Sequence, residues 1–472
     1  MQDTKNSDTV YDAIIIGAGI GGLTLGYKLH TLGKKILIIE SGPTATGVIR
    51  TEMKDGFLLE FGPTTALTKP AFLELIKSLN MESRLSYPRD IAKYRYLARK
   101  GNKWKLHAAP TGPLSAMFSP ILSTKAKLRA LLEPFIPPTL DADQDVYTFV
   151  TRRFGKEVAE QVVAALLSGI WAADISNLSA RSGLPTMWEF EQKYGSIFRG
   201  GVATAFKKFT KNHPAKNQKS SIVSFKNGMA ELPQALCEAL PAESIKTNCA
   251  VRRIEHFKDS VTVHILPEPA SPDISPLITT LSARYVIITS PSWVSANLIA
   301  PLYPALAQEI RNISYSPLGI MHIKAKTSSV QHKLDGFGFL CPPKNHDVLL
   351  GTIFNSSLFE ERAPNGWHLL TCYLGGSCNP AGANPHLPHV RERALKELSS
   401  LIGTHSELEI ISSHYWDRAI PSYKVGHHYI ENKMEYLKTS HPRIRFLSNW
   451  HRGIGVPDRI QEADRIAKSI IW

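Results

Sequence analysis

Long apolar runs are missing from this chain. Nowhere in its 472 residues do about 18 uncharged apolar residues follow one another, so no transmembrane helix is expected. The opening Met1-Gln-Asp-Thr-Lys-Asn-Ser-Asp-Thr9 is short and polar and has no apolar targeting core, so no secretion signal is expected. Cysteine is scarce, with five residues (Cys237, Cys249, Cys341, Cys372, Cys378) and no paired metal spacing. An odd count fits reduced thiols and a cytoplasmic location, at most against the cytoplasmic membrane face. The 17 histidines show no ligand pattern, and His427-His428 reads as a surface pair, so no metal is expected. Ser/His/Asp and Cys/His arrangements are also lacking, so no side-chain nucleophile or general base is assigned. Acidic residues are outnumbered, 41 against 55 basic ones, for a formal charge of +14. The cations are spread along the chain, without a basic helix carrying interleaved aromatics and without a zinc finger. Nucleic acid is therefore not an expected partner. A plain basic surface, an anionic membrane surface or a polyanionic substrate remain.

What is present begins at Tyr11-Asp-Ala-Ile-Ile-Ile-Gly-Ala-Gly-Ile-Gly-Gly22 and continues with Lys35-Ile-Leu-Ile-Ile-Glu40. The apolar run Ala13–Ile16 reads as a buried parallel strand. Gly17 permits a tight turn, Gly19 lets the backbone approach a pyrophosphate, and Gly22 lets a helix pack against the strand. The helix start presents free N–H groups and a positive dipole end to phosphates. Glu40 stands where a carboxylate binds a ribose 2′-hydroxyl, which disfavours a 2′-phosphate and leaves NAD or FAD. Two further glycine-bearing turns follow: Ser41-Gly-Pro-Thr-Ala-Thr-Gly47-Val-Ile-Arg50-Thr51, then Glu60-Phe-Gly62-Pro63-Thr64. They suit a long ligand that runs past the first strand–helix–strand unit, and so FAD.

Farther along, a helix is expected over 70–80, strands near 93–99 and 103–107, and a basic helical block from 113 to about 210. Strand pieces follow at 221–229, 245–254, 261–265 and 283–290, then Leu318–Lys324, Gly336–Cys341, Val348–Phe354 and Trp367–Gly375. Helices are expected at 387–402 and at the end of the chain, with Ala463 and Ile466 facing inward.

Several segments together resemble a known family. They are Ile49-Arg50-Thr51 with Glu60-Phe-Gly62-Pro63; Ala109-Pro-Thr-Gly112; Phe149-Val-Thr-Arg-Arg-Phe-Gly-Lys-Glu-Val158; and Ser168-Gly169-Ile-Trp-Ala172. Farther on come Trp188-Glu-Phe-Glu-Gln-Lys-Tyr-Gly-Ser196; Leu350-Gly-Thr-Ile-Phe-Asn-Ser-Ser-Leu-Phe359; Trp416-Asp-Arg-Ala-Ile-Pro421 with Val425-Gly-His427; and Gly453–Ile460. Nearly end to end, the chain is similar to the FAD-dependent protoporphyrinogen oxidases of haem biosynthesis, which include bacterial coproporphyrinogen III oxidases. The resemblance implies an α/β fold of the two-dinucleotide-binding-domain, amine-oxidase-like kind. A Rossmann-like FAD domain (10–85, 216–290 and 416–472) would carry an inserted antiparallel-sheet substrate domain (86–112 and 291–415). A helical region (113–215) would dock on membranes.

The resemblance also implies site residues. Val251 would meet the adenine end through its backbone, and Trp416, Ile454, Gly455 and Val456 would lie along the flavin. Ser41, Gly47, Gly62, Pro63 and Thr64 would add cofactor contacts. Arg95 would bind a substrate propionate as a guanidinium fork. Gly169, Phe337, Leu340 and Ile353 would hold the tetrapyrrole over the isoalloxazine. The implied partners are a porphyrinogen, dioxygen as acceptor with peroxide formed, and the next haem-pathway enzyme. Two departures stand out. Thr44 and Thr46-Gly47 replace the arginine and glycine pair usual after the ribose-binding acid, so one phosphate contact is either missing or supplied elsewhere, with Arg50 as the candidate. Ala173 stands where a second glycine is usual near Gly169. Amine oxidation, carotenoid desaturation and a non-enzymatic carrier on the same scaffold are the competing readings. The first is weakened by the lack of a cysteine after Cys378, and the second by the Arg-Arg-Phe-Gly and Trp-Glu-Phe-Glu stretches.

Overall fold

A computed structural model describes residues 6–100, 104–110, 112–210, 221–267, 278–343 and 348–470. The expected loops at 212–220 and 267–276 lie outside these residues, but for the end of a strand at Pro267. Two large sheets organise the chain. In the first, strands Ile245–Lys246, Ile36–Ile39, Asn6–Ile16 and Thr279–Ile288 run parallel, and Ile444–Phe446 pairs with the far end of the last. Val261–Pro267 and Cys249–His256 extend the other side as an antiparallel pair. The expected 245–254 strand is thus two, broken at Asn248, whose φ is +52°.

Strand alternation feeds a core on each face of this sheet. Ala13, Ile15, Ile36 and Ile38 pack with the helices Ile20–Thr31, Pro70–Ser78, Glu231–Glu238 and Val456–Ser469. Ala463 and Ile466 face this core, as expected. Ile14, Ile16, Leu37 and Ile39 pack with Ser292–Ile299, Pro304–Arg311 and His427–Ser440. His427 and His428 open the last of these helices and are buried, not a surface pair.

The second sheet has the order Glu409–Pro421, Tyr315–Lys326, Trp367–Gly375, Leu349–Ile353, Gly338–Leu340, Tyr96–Lys100 and Trp104–Ala108. All neighbours are antiparallel except the pair 338–340 with 96–100. One face is covered by the helix Pro388–Ile402 through Val390, Ala394, Leu398 and Leu401. Because 292–311 packs on the first sheet and the strand bearing Trp416 stays in the second, the junctions fall near Ile313 and Pro421 rather than at 291 and 416.

The helical block explains the two distinctive sequence stretches. Arg152 and Arg153 end the helix Val146–Phe154, and Gly155 closes it at φ +97°, where a side chain would be strained. Glu191 lies fully buried on the helix Pro185–Tyr194. Arg152 binds it bidentately at 2.7 and 3.0 Å, and Arg153 Nε reaches it at 2.7 Å. Arg153 also meets Glu133 at 3.2 Å. Glu133 in turn accepts the Ile197 and Phe198 N–H groups at the start of the helix Ile197–Thr210. Each buried charge therefore has a partner, as burial requires.

Candidate functional site

The first strand ends at Gly17, with φ +110°, where a Cβ would stand 2.5 Å from Thr289 Oγ1. A Cβ on Gly22 would lie 2.1 Å from the Gly17 carbonyl oxygen. Gly19 faces open space, and the helix from Ile20 starts with neither a side-chain cap nor a carboxylate in its first turn. Its leading N–H groups are left for an anion. Glu40 accepts hydrogen bonds from the Ala18 N–H at 2.8 Å and the Gly42 N–H at 2.8 Å. The carboxylate expected at the ribose thus also ties the first glycine turn to the second.

The three glycine turns lie against one another in series. A Cβ on Gly47 would be 3.0 Å from Gly19 Cα, and one on Gly62 would be 2.2 Å from the Val48 carbonyl oxygen. Arg50 lies over the Phe61 ring at 5.4 Å, with its backbone carbonyl bonded to Phe61 N. Trp416 Nε1 donates to the Phe61 carbonyl at 2.8 Å, and the buried His322 Nε2 donates to the Glu60 carbonyl at 3.0 Å. Burial pulls the His322 imidazole down to about 4. Burial pushes the Glu60 carboxyl up to about 7, against the Met229 N–H and Thr51 hydroxyl that favour its charged form. Val251 is half-buried on the strand that leaves the Glu40 carbonyl through Cys249 N. Val456 shares a core with Ala18, Ile49 and Ala66, which sets the closing helix against the glycine turns.

The expected substrate residues come together on the second sheet. Arg95 lies over the Phe337 ring at 5.3 Å, and Phe337 N bonds the Tyr94 carbonyl. Gly169 approaches Leu340 so closely that a Cβ there would be 2.5 Å from Leu340 Cδ2. Ile353 pairs with Gly338. Directly paired residues share a face. Leu340, Gly351, Tyr373, Ile320 and His414 therefore form one row across five strands, with Ile353, Thr371, His322 and Ser412 beside it. This face meets the glycine turns where Trp416 Nε1 and His322 Nε2 reach the Phe61 and Glu60 carbonyls, with Thr64 beside the buried Tyr373 phenol. Sequence reasoning missed Tyr373, His322 and His414; the strand Trp367–Gly375 is buried along most of its length and gave no alternation signal for the first.

The arrangement is a groove of backbone amides leading to an apolar wall with a cation at its far edge. A model of the family described as flavin containing amine oxidoreductase matches residues 20–471. The chain belongs to this family. FAD is the cofactor of this flavin-containing oxidoreductase, and the open, Cβ-free approach at Gly19 fits it. The chain is similar to protoporphyrinogen oxidase 2 of Arabidopsis thaliana, 27% identical over 97% of this chain and 93% of that one. Mitochondrial protoporphyrinogen oxidase of Nicotiana tabacum is 29% identical, covering 97% and 94%. Coproporphyrinogen III oxidase of Bacillus subtilis is 26% identical, covering 97% of each. Among solved structures, an Exiguobacterium protein provisionally named a protoporphyrinogen oxidase superposes with TM-score 0.76 at 20% identity, over 98% of this chain and 99% of that one. Putrescine oxidase has the same fold at TM-score 0.69 and 15% identity, over 97% and 98%. Among the described residues no helix is long and apolar enough to cross a membrane, and no group of three or more His, Cys, Asp or Glu is placed to hold a metal.

Proposed function

We propose that this flavoenzyme oxidises protoporphyrinogen IX to protoporphyrin IX, with FAD in the glycine groove and the tetrapyrrole on the row through Leu340 and Tyr373. The observation that carries the reading is that Gly169 meets Leu340, that Ile353 shares the face of Leu340 through its pair Gly338, and that Arg95 lies over the Phe337 ring next to that strand. The names of the curated relatives support it. A porphyrinogen has saturated bridging carbons, and aromatisation removes three electron pairs. The bound flavin supplies the two-electron acceptor chemistry.

The chain's own residues position and exclude. Phe337, Leu340 and Ile353 would hold the macrocycle flat and keep water out, which brings a bridging carbon within reach of its acceptor. Gly169 lets the ring approach. Arg95 is exposed at the rim and pairs with a propionate. Gly17, Gly19, Gly22, Glu40, Ser41, Gly47, Arg50, Gly62, Pro63, Thr64, Val251, Trp416 and Ile454–Val456 bind the cofactor. Dioxygen is the final acceptor and peroxide the by-product. The apolar wall beside a rim cation suits two propionates and two vinyl groups better than the four propionates of coproporphyrinogen III. The helical block exposes Phe118, Phe135, Leu140 and Phe206 on a basic segment, which supports a peripheral membrane contact for handling an apolar product. Purified protein given each porphyrinogen in turn, with porphyrin fluorescence followed, tests the reading. Faster turnover of protoporphyrinogen is expected; turnover of neither overturns it.

A further inference from the structure

The turn before the closing helix is held in an unusual way. Of the five consecutive carbonyls from Ser448 to Arg452, four accept a hydrogen bond from a buried side chain. Arg459 donates to the Ser448, His451 and Arg452 carbonyls, the last two at 2.8 and 2.7 Å. The Tyr423 hydroxyl donates to the Asn449 carbonyl at 2.6 Å. The His427 ring packs on Tyr423, and the Trp450 main chain beside it favours its protonated form against burial. Arg459, Tyr423 and His427 are all buried. Tyr423 and His427 are stacked, with centroids 4.0 Å apart and planes 11° from parallel, and the Trp171 edge meets Tyr423 at 5.0 Å.

The clamp holds backbone that would not persist alone. Arg452 has φ +61° and Gly453 φ +103°. A non-glycine residue in the left-handed region costs free energy and persists where its surroundings over-determine it. The Gly453 N–H returns to the Tyr423 hydroxyl at 3.1 Å, so that one phenol both donates to and accepts from the same turn. The Gly455 N–H is taken by Asp458 at 3.0 Å. Between them, the Ile454 N–H has no acceptor among the described residues. With the carbonyls turned toward the clamp, the Ile454 amide is left unpaired inside the turn, two residues before Val456, where the helix begins.

We propose that Tyr423, with His427 and Arg459, is a positioning residue that fixes the Ile454 amide as a pre-aimed hydrogen-bond donor to the flavin. The inference rests on the reading that Ile454–Val456 lies along the flavin. A donor held in advance costs no reorganisation when the flavin gains electron density, so its orientation sets how readily the cofactor is reduced.

The test uses full-length protein with FAD. Hydrogen exchange of peptides covering 449–456 is first compared with and without FAD in the unaltered protein. Slower exchange with FAD is expected, and no slowing overturns the reading beneath the inference. Next, Tyr423→Phe keeps the ring and removes the hydroxyl. FAD binding about tenfold weaker, the scale of one lost hydrogen bond, is expected. A lower flavin midpoint potential and faster exchange at 449–456 in the FAD-bound form are expected with it. His427→Leu, which removes the ring stacked on Tyr423, should shift the same readouts, and His427→Phe, which keeps a ring there, should restore them. If Tyr423→Phe lowers only the melting temperature and leaves affinity, potential and exchange unchanged, the inference is overturned while the cofactor reading stands.

Discussion

Around Gly17, Gly47 and Gly62 the working surface is main chain, and what matters is the absence of side chains. Across the row from Leu340 to His414 the working surface is side chain, and what matters is which face each one takes. The two regions respond differently to substitution. A backbone groove has no slack, because an added Cβ meets a fixed carbonyl. A side-chain wall can repack, because a rotamer or neighbour gives way.

The largest contrast is expected from Gly22→Val, whose Cβ would be 2.1 Å from the Gly17 carbonyl oxygen. FAD affinity should fall by at least a hundredfold, read from flavin absorbance after gel filtration. Retained stoichiometric flavin would show that the groove can yield after all. In the helical block, Glu191→Ala would leave Arg153 buried with half its charge partners gone. A loss of about 3–5 kcal/mol in stability is expected, measured by denaturant unfolding. A loss below 1 kcal/mol would mean that water replaces the carboxylate.

Glu60 joins the two regions and makes a pH test. Its carboxyl is raised by burial to about 7 in the folded chain, from 4.5. Its contribution is therefore complete below pH 4.5 and is lost as pH rises through 7. His322 and His427, both lowered to about 4 from 6.5, act the other way and favour the fold above pH 6.5. Removing the carboxyl with Glu60→Gln should make stability climb more steeply between pH 5 and 8, by about 2–3 kcal/mol. Unfolding curves at both pH values check the slope; parallel behaviour of the two proteins would contradict the assignment. The smallest effect is expected on the wall. Arg95→Ala should raise KM about tenfold, with kcat changed less than threefold, because it removes binding common to ground and transition states. An unchanged KM would rule out the propionate contact.

The same contrast explains what the sequence revealed. Gly17, Gly19, Gly22, Glu40 and the two later glycine turns were readable because backbone geometry restricts residue type. The Arg-Arg-Phe-Gly and Trp-Glu-Phe-Glu stretches stood out, but only the structure joins them, through Arg152, Arg153 and Glu191. Tyr373 was hidden because a buried strand is apolar on both faces, so alternation gave no polarity signal. The helix His427–Ser440 was missed because its first turn is two histidines and a tyrosine, residues without strong helical preference. Its burial comes from tertiary contacts with the first sheet and with Tyr423.

The edge strand Ile444–Phe446 has a consequence for biosynthesis. It pairs with Val286–Ile288, and the helix Val456–Ser469 covers the core beneath Ala18 and Ile20. Strand Ile36–Ile39 likewise waits for Ile245–Lys246. The segment through Ser469 must therefore be synthesised before the motif at 11–22 gains all its neighbours. Such distant closure is slow and leaves apolar strand surface uncovered in the meantime. Cofactor capture becomes a late, post-translational event, and a flavin-starved cell should accumulate this polypeptide in chaperone-bound form.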